Sequence, residues 1–318
     1  MFAVFFCTRR RRRCRLKAWR SYEVPTVSEL VVTDSRSTHV GELGVRRALP
    51  TRGRRTVGAW CFFDHMGPAS FSLENRFDIA PHPHIGLQTV TWLFDGALLH
   101  RDGLGSEQQI RPGQLNLMTS GKGLAHSEEN PGVTSGQLHG VQLWVALPST
   151  TRQKAPAFEH HAMMPEFEMD HGTGTVIIGE FAGEESPARR DSELVGVELR
   201  LARGVSEVAL DPTFEYALVV TEGELLIDET PIGPGRLCYL GRGRDECRIE
   251  VRESCRALLI GGLPFDETIV MWWNFVARTQ EEIALAYESW VKRDPRFARV
   301  ASPLPRIEVA PPPWFTQR

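Results

Sequence analysis

One hairpin is written twice in this chain, and that repetition limits the fold more than any other feature. "TWLFDGALLHRD" returns as "LVVTEGELLIDE" (Leu218 to Glu229), aligning Gly96 with Gly223 at an offset of 127 residues. Beyond each hairpin lies a second shared motif. "RPGQLNLM" resembles "GPGRLCYL", aligning Gly113 with Gly235 at an offset of 122 residues. A difference of five is what a shorter loop in the second copy would produce. Repetition of a whole supersecondary unit at a nearly fixed period is the mark of a duplicated domain.

Both copies carry β signals. "LQTVTWLF" (Leu87 to Phe94) alternates and is β-branched and aromatic, and Asp95-Gly96 supplies a hairpin turn before "ALLHRD". "QLNLMT", "GLAHSEE" and "LHGVQLWVAL" continue the pattern, with turns at Arg111-Pro112-Gly113 and Gly121-Lys122-Gly123. Short strands at this spacing build a sandwich or barrel. The expected fold is therefore all-β, two tandem barrels with one short helix near the end. That helix is "TQEEIALAYESWVKR": Thr279 and Glu282 form a capping-box pattern, and Ile283, Tyr287, Trp290 and Val291 an apolar stripe. The Pro-rich tail "PLPRIEVAPPPWF" is expected to dock its aromatic end on a barrel.

The expected divisions are a basic, disordered extension over 1–22, a first barrel over 23–155, a linker over 156–188, a second barrel over 189–270, and the helix with its docking tail over 271–318. Charge separates the extension from the body. Residues 1–20 hold eight of the 37 basic residues and no acid, so the rest sets 29 bases against 40 acids. An acidic body lacks the cationic field that nucleic acid demands. No apolar run reaches the ~18 residues that span a bilayer. Six cysteines without a CxxC pair fit a reducing compartment, and the start puts its apolar stretch before its charges, the reverse of an export signal. A cytoplasmic location is expected.

Chemistry concentrates in "APHPHIG" and "GKGLAHSEEN". His82 and His84 are spaced i, i+2, so a strand projects both imidazoles from one face; His126 and Glu128 repeat the spacing about 40 residues later. If the two strands face one another across a barrel, three nitrogens and a carboxylate surround one point. Such a set suits a divalent Fe, Mn, Ni, Cu or Zn ion and is too rich in nitrogen for Ca or Mg. Burying these four groups without a cation would be costly. Four protein ligands can close a structural site, whereas an ion preferring five or six keeps positions for water, substrate or oxygen. No histidine follows His171, so the second copy cannot repeat a histidine site and one metal per chain is expected. His65, His100 (in "HRD") and His139 are candidates for orienting ligands or lining the pocket, each with a purely structural reading beside it. His160, His161 and His171 fall in the expected linker and are read as solvated. Met66, Phe71 and Met118 are apolar-wall candidates whose plain reading is core.

"FDHMGP", "HPHIGLQTVTWL", "GALLHRDGLGS", "IRPGQLNLMTSGKGLAHSEENP" and "LHGVQLWVALP" resemble the pirin family of the cupin superfamily, densely from Asp64 to Pro148. "FVARTQEEIALAYESW" is similar to the segment with which pirins finish. The resemblance implies a bicupin whose first barrel holds one metal, most often Fe(2+), through residues matching His82, His84, His126 and Glu128. Most other cupins place a carboxylate four residues after the second histidine. Gln88 stands there in this chain, so the carboxylate role rests on Glu128. The resemblance implies a quercetin 2,3-dioxygenase-type activity on an aromatic small molecule, with Glu128 doubling as the base for the substrate hydroxyl. The alternative it implies is a redox-responsive regulatory iron protein acting through protein partners, a transcription co-regulator or a modulator of a metabolic enzyme. A storage-like or purely structural bicupin is the third reading.

Overall fold

The computed structural model describes residues 29–72 and 76–315; the basic extension over 1–22 lies outside the described residues. Antiparallel sheets build two barrels. In the first, a seven-stranded sheet runs, in spatial order, through Ala157–His161, Leu115–Thr119, Leu87–Asp95, Gly136–Ala146, Trp60–Phe71, Leu43–Leu49 and Arg36–Val40. It packs against a four-stranded sheet of Ile79–His84, Leu124–Glu129, Leu98–Asp102 and Glu107–Ile110. The second barrel is an eight-stranded sheet dominated by the long strands Leu194–Ala209, Glu215–Ile227 and Glu246–Gly262.

The duplicated glycines sit where the repeat places them. Gly96 and Gly223 turn the paired hairpins at φ +86° and +71°, and Gly113 and Gly235 turn the next loops at +77° and +84°. These are left-handed conformations that glycine adopts without a Cβ penalty.

The pleat assigns each face of the seven-stranded sheet a different job. Val90, Trp92, Val141, Leu143 and Val145 join Ala217, Val219, Leu258 and Ile260 of the second barrel in one buried apolar layer. Trp60 spans that layer and donates its indole N–H towards the carbonyls of Val195 (3.1 Å) and Gly261 (3.2 Å). Residues of opposite parity, among them Thr91 and Leu93, point into the first barrel.

Two expectations need correction. The stretch 156–188 is not a free linker: Ala157–His161 pairs with Leu115–Thr119 in the first barrel, while Glu166–Met169 and Gly172–Ile178 extend the second. Its prolines and acids hid Ala157–His161 and Gly172–Ile178, which pair with strands elsewhere in the sequence, and Glu166–Met169, which pairs with Gly172–Ile178. The second barrel also takes a strand from the other end of the chain, Val31–Asp34, which pairs with Arg236–Gly241.

The helix spans Gln280–Val291, with Thr279 accepting from the Glu282 backbone N–H at 3.2 Å. The Glu282 carboxylate also bonds the backbone N–H of Arg278 (2.8 Å) and the Arg152 guanidinium. Ile283, Ala286 and Trp290 are buried, but Val291 is 51% exposed and leaves the expected stripe. The helix packs on the outer side of the four-stranded sheet through Ile85 and Ala125. As the tail motif suggested, Trp314 joins this cluster and Phe315 meets the Tyr287 ring edge-on at 5.1 Å.

Candidate metal centre

His82 and His84 end the strand Ile79–His84, and His126 lies on Leu124–Glu129 directly opposite His82. The two motifs are therefore hydrogen-bonded neighbours within one sheet, not partners across the barrel as the spacing argument supposed. Directly opposed antiparallel residues bring their Cβ atoms within about 5.5 Å on one face, so adjacency gathers the imidazoles more closely than a span across the interior could. One ring nitrogen from each of His82, His84 and His126 lies within 4.8 Å of the other two, and all three residues are buried.

Hydrogen bonds fix which nitrogens face inward. The backbone carbonyls of Ala80 (2.9 Å) and Asn274 (3.1 Å) can only accept, so His82 and His84 must carry their protons on Nδ1 and leave Nε2 as bare lone pairs. The third histidine is set by a relay. His126 Nδ1 lies 3.3 Å from His100 Nδ1, and His100 Nε2 lies 3.2 Å from the Asp102 carboxylate. Burial alone would raise the Asp102 carboxyl; hydrogen bonds from His100 and the Ser106 backbone outweigh it and hold the group below its ordinary range. A His100 that donates Nε2–H to Asp102 and accepts from His126 Nδ1–H at its own Nδ1 would leave His126 Nε2 bare. His126 Nε2 then faces His84 Nε2 across 3.1 Å. Two lone pairs at that distance repel unless a cation lies between them. The donor set thus fits a metal ion on the protein's own hydrogen bonding.

Electrostatics agree. Burial, reinforced by the other histidines, pushes His84 and His126 well below the ordinary imidazole range, and burial takes His82 to about 4. Three neutral imidazoles are what a divalent ion requires.

Glu128 stands apart from this triangle. A bulge between His126 and Glu128 shifts its register, and its Oε1 accepts from the Thr91 hydroxyl at 3.1 Å. Burial raises its carboxyl above the ordinary range. It lies directly opposite His100 on the neighbouring strand, on the face shared with His126.

The four remaining candidates separate. His100 touches His126, as described, and stacks on Phe158 at 4.2 Å. Gln88 shares the parity of Val90 and Trp92, so it lies on the face away from Thr91, where its amide donates to Thr119 at 3.0 Å; it does not line the centre. His65 and His139 are also elsewhere, in a polar chain between the barrels. Arg46 donates into His65 Nδ1, His65 Nε2 meets His139 Nε2 at 2.8 Å, and His139 Nδ1 meets Glu222 of the second barrel at 3.0 Å. Met66 and Met118 are buried core residues. His171 is exposed, whereas His160 and His161 are half-buried and paired with Asn116 and Glu159.

Sequence reasoning missed Thr91, Trp144 and the Asn274 carbonyl. Thr91 could have been found from strand parity. Trp144, which meets His84 edge-on at 5.2 Å, and Asn274, a backbone acceptor 190 residues from His84, leave no motif.

Comparison with known proteins agrees with this geometry. The family model described as Pirin matches residues 42–145, and that of the pirin C-terminal cupin domain matches 196–298. A Pseudomonas aeruginosa protein whose name proposes a quercetin 2,3-dioxygenase is 45% identical over 86% of this chain and 87% of its own. A pirin-like protein of Caulobacter vibrioides is 34% identical over 82% of this chain and 92% of its own. The crystal structure of quercetin 2,3-dioxygenase from Acinetobacter baumannii superposes with a TM-score of 0.87 at 41% identity, covering 91% of this chain and 97% of that one. Two barrels from a duplicated hairpin, one carrying a histidine triangle and the other none, place the chain in the pirin family of bicupins.

Proposed function

We propose that the chain is a non-haem Fe(II) dioxygenase acting on flavonol-like substrates of the quercetin type, with His82, His84, His126 and Glu128 as the metal ligands. The observation that carries the reading is the inward convergence of three neutral, buried imidazoles beside a carboxyl that burial has made more basic. The names of the Pseudomonas and Acinetobacter relatives support the substrate class.

An iron ion there would supply Lewis-acid and one-electron chemistry towards a ring hydroxyl and O2. The chain's own residues do the rest. Asp102 and His100 hold the His126 ring in the tautomer that presents Nε2, and the Ala80 and Asn274 carbonyls do the same for His82 and His84. Glu128 takes the proton of the substrate hydroxyl; a desolvated carboxylate is a stronger base than an exposed one, and the Thr91 hydroxyl holds it in place. The Trp144 ring beside His84 gives the centre an aromatic neighbour suited to an aromatic body.

The test is anaerobic reconstitution with Fe(II), then exposure to air with quercetin while its absorbance and released carbon monoxide are followed. Metal-dependent loss of absorbance with carbon monoxide, abolished in His84→Ala, is expected. Stoichiometric metal without turnover would refute the enzyme reading and transfer the assignment to a regulatory metal protein.

A further inference from the structure

On the outer side of the four-stranded sheet, opposite the histidines, lies a cavity of about 570 Å³ that the metal centre does not use. Its floor includes Pro81 and Ala125, the immediate neighbours of His82 and His126 on the reverse face of the same strands. Its walls come from the end of the chain, where Trp290, Phe297 and Leu304 are apolar and Arg293, Arg299 and Arg306 are cationic. Asp294 is the one acid among the described lining residues, and its carboxylate is engaged by the backbone N–H of Arg296 at 2.9 Å.

The fold engages one of the three guanidiniums and leaves two exposed and, among the described residues, unpaired. Arg293 and Arg299 have no carboxylate partner among the described residues. Arg306 lies over the Trp290 ring at 4.0 Å and donates one Nη to the Trp290 carbonyl, but its buried Nε has no acceptor. Burial and then the Arg293 charge push the Arg306 guanidinium down, against an opposing pull from Glu308.

Arg293 also occupies an unusual backbone position. Its N–H bonds the Trp290 carbonyl (3.2 Å), and the next N–H bonds that of Ser289 (2.9 Å), which closes the helix with Arg293 at φ +58°. Glycine is the default residue there, because a Cβ is strained in that conformation. An arginine holds the position and lines the cavity instead.

We infer that this cavity binds a small organic anion, one phosphate or dicarboxylate head on an apolar body. Guanidiniums pair such heads in bidentate fashion, and the aromatic and proline walls suit the apolar part. The size lies within the range of small-molecule sites. The inference is independent of the metal chemistry.

Phenyl phosphate is the probe, with benzyl alcohol as its uncharged counterpart, titrated calorimetrically into metal-loaded protein. Saturable binding of phenyl phosphate alone is expected. Arg293→Gly should weaken it about tenfold or more, the scale of one lost charge-assisted contact, while melting at or above the wild-type temperature because glycine relieves the backbone. Arg299→Gln should weaken it in the same direction. His84→Ala should bind unchanged. Absence of saturation by about 10 mM, wild-type affinity in both arginine variants, or loss of binding in His84→Ala would each overturn the inference, the last by assigning the anion to the metal centre.

Discussion

His65 makes folding sensitive to acid in a way that can be isolated. It is 1% exposed, and burial, the Arg46 charge and His139 take it from 6.5 to about 3. The hydrogen bonds agree: Arg46 donates into Nδ1, so the ring is neutral with its proton on Nε2 towards His139. A base whose folded pKa is depressed contributes stability that is present above 6.5 and is lost as pH falls below it, because only the unfolded chain takes up the proton. Between pH 7.5 and 5.0 the loss from this one ring is about 2 kcal/mol. That is roughly 1 M in urea midpoint if the denaturant slope is near 2 kcal/mol/M. His65→Gln keeps a polar group beside Arg46 and His139 but does not titrate. Urea unfolding of both proteins at both pH values, with metal content fixed, gives a double difference in which other acid-sensitive groups largely cancel. The wild type should lose about 2 kcal/mol more than the variant. Equal losses would show that the His65 ring is solvated or protonated in the folded protein, and the neutral ring assigned to it beside Arg46 would be wrong.

Further outcomes are expected at the metal centre. Glu128→Gln should keep part of its metal, held by three histidines, while turnover falls by roughly 10²-fold or more; unaltered turnover would exclude Glu128 as the base. Asp102→Asn removes the acceptor that orients His100, and metal affinity measured by chelator competition should fall roughly 10–100-fold, whereas an unchanged affinity would detach the relay from the site. Gly86→Ala places a Cβ 2.1 Å from the Val276 carbonyl at φ +69°. It should separate the segment carrying Asn274 from the metal strands, lowering both melting temperature and metal occupancy; a variant that melts and binds metal as wild type would show that this contact is dispensable.

The histidine triangle was legible because strand parity is local: two i, i+2 pairs need only lie side by side for their rings to meet. Their adjacency was not legible, since pairing partners are chosen by the whole sheet and the same spacing serves facing strands equally well. The repeat was readable through glycines, whose positive φ is a property of single residues. His65 and His139 were assigned to the pocket from proximity in sequence, yet the pleat turns them towards the other barrel. Gln88 failed for the same reason, lying one residue out of phase with Thr89 and Thr91. Strands in 156–188 were hidden because their stability comes from partners such as Leu115–Thr119 and Leu194–Ala209 rather than from their own composition.

The crossing of the chain's ends has a consequence for its handling. Val31–Asp34, from the start, completes the edge of the late barrel, and the segment from Val270 onward covers the early one. Each half therefore wears a piece of the other. A gene cut between the copies would yield two fragments with an uncovered sheet apiece, prone to associate edge to edge, whereas a nick made in the folded protein would leave the pieces clasped.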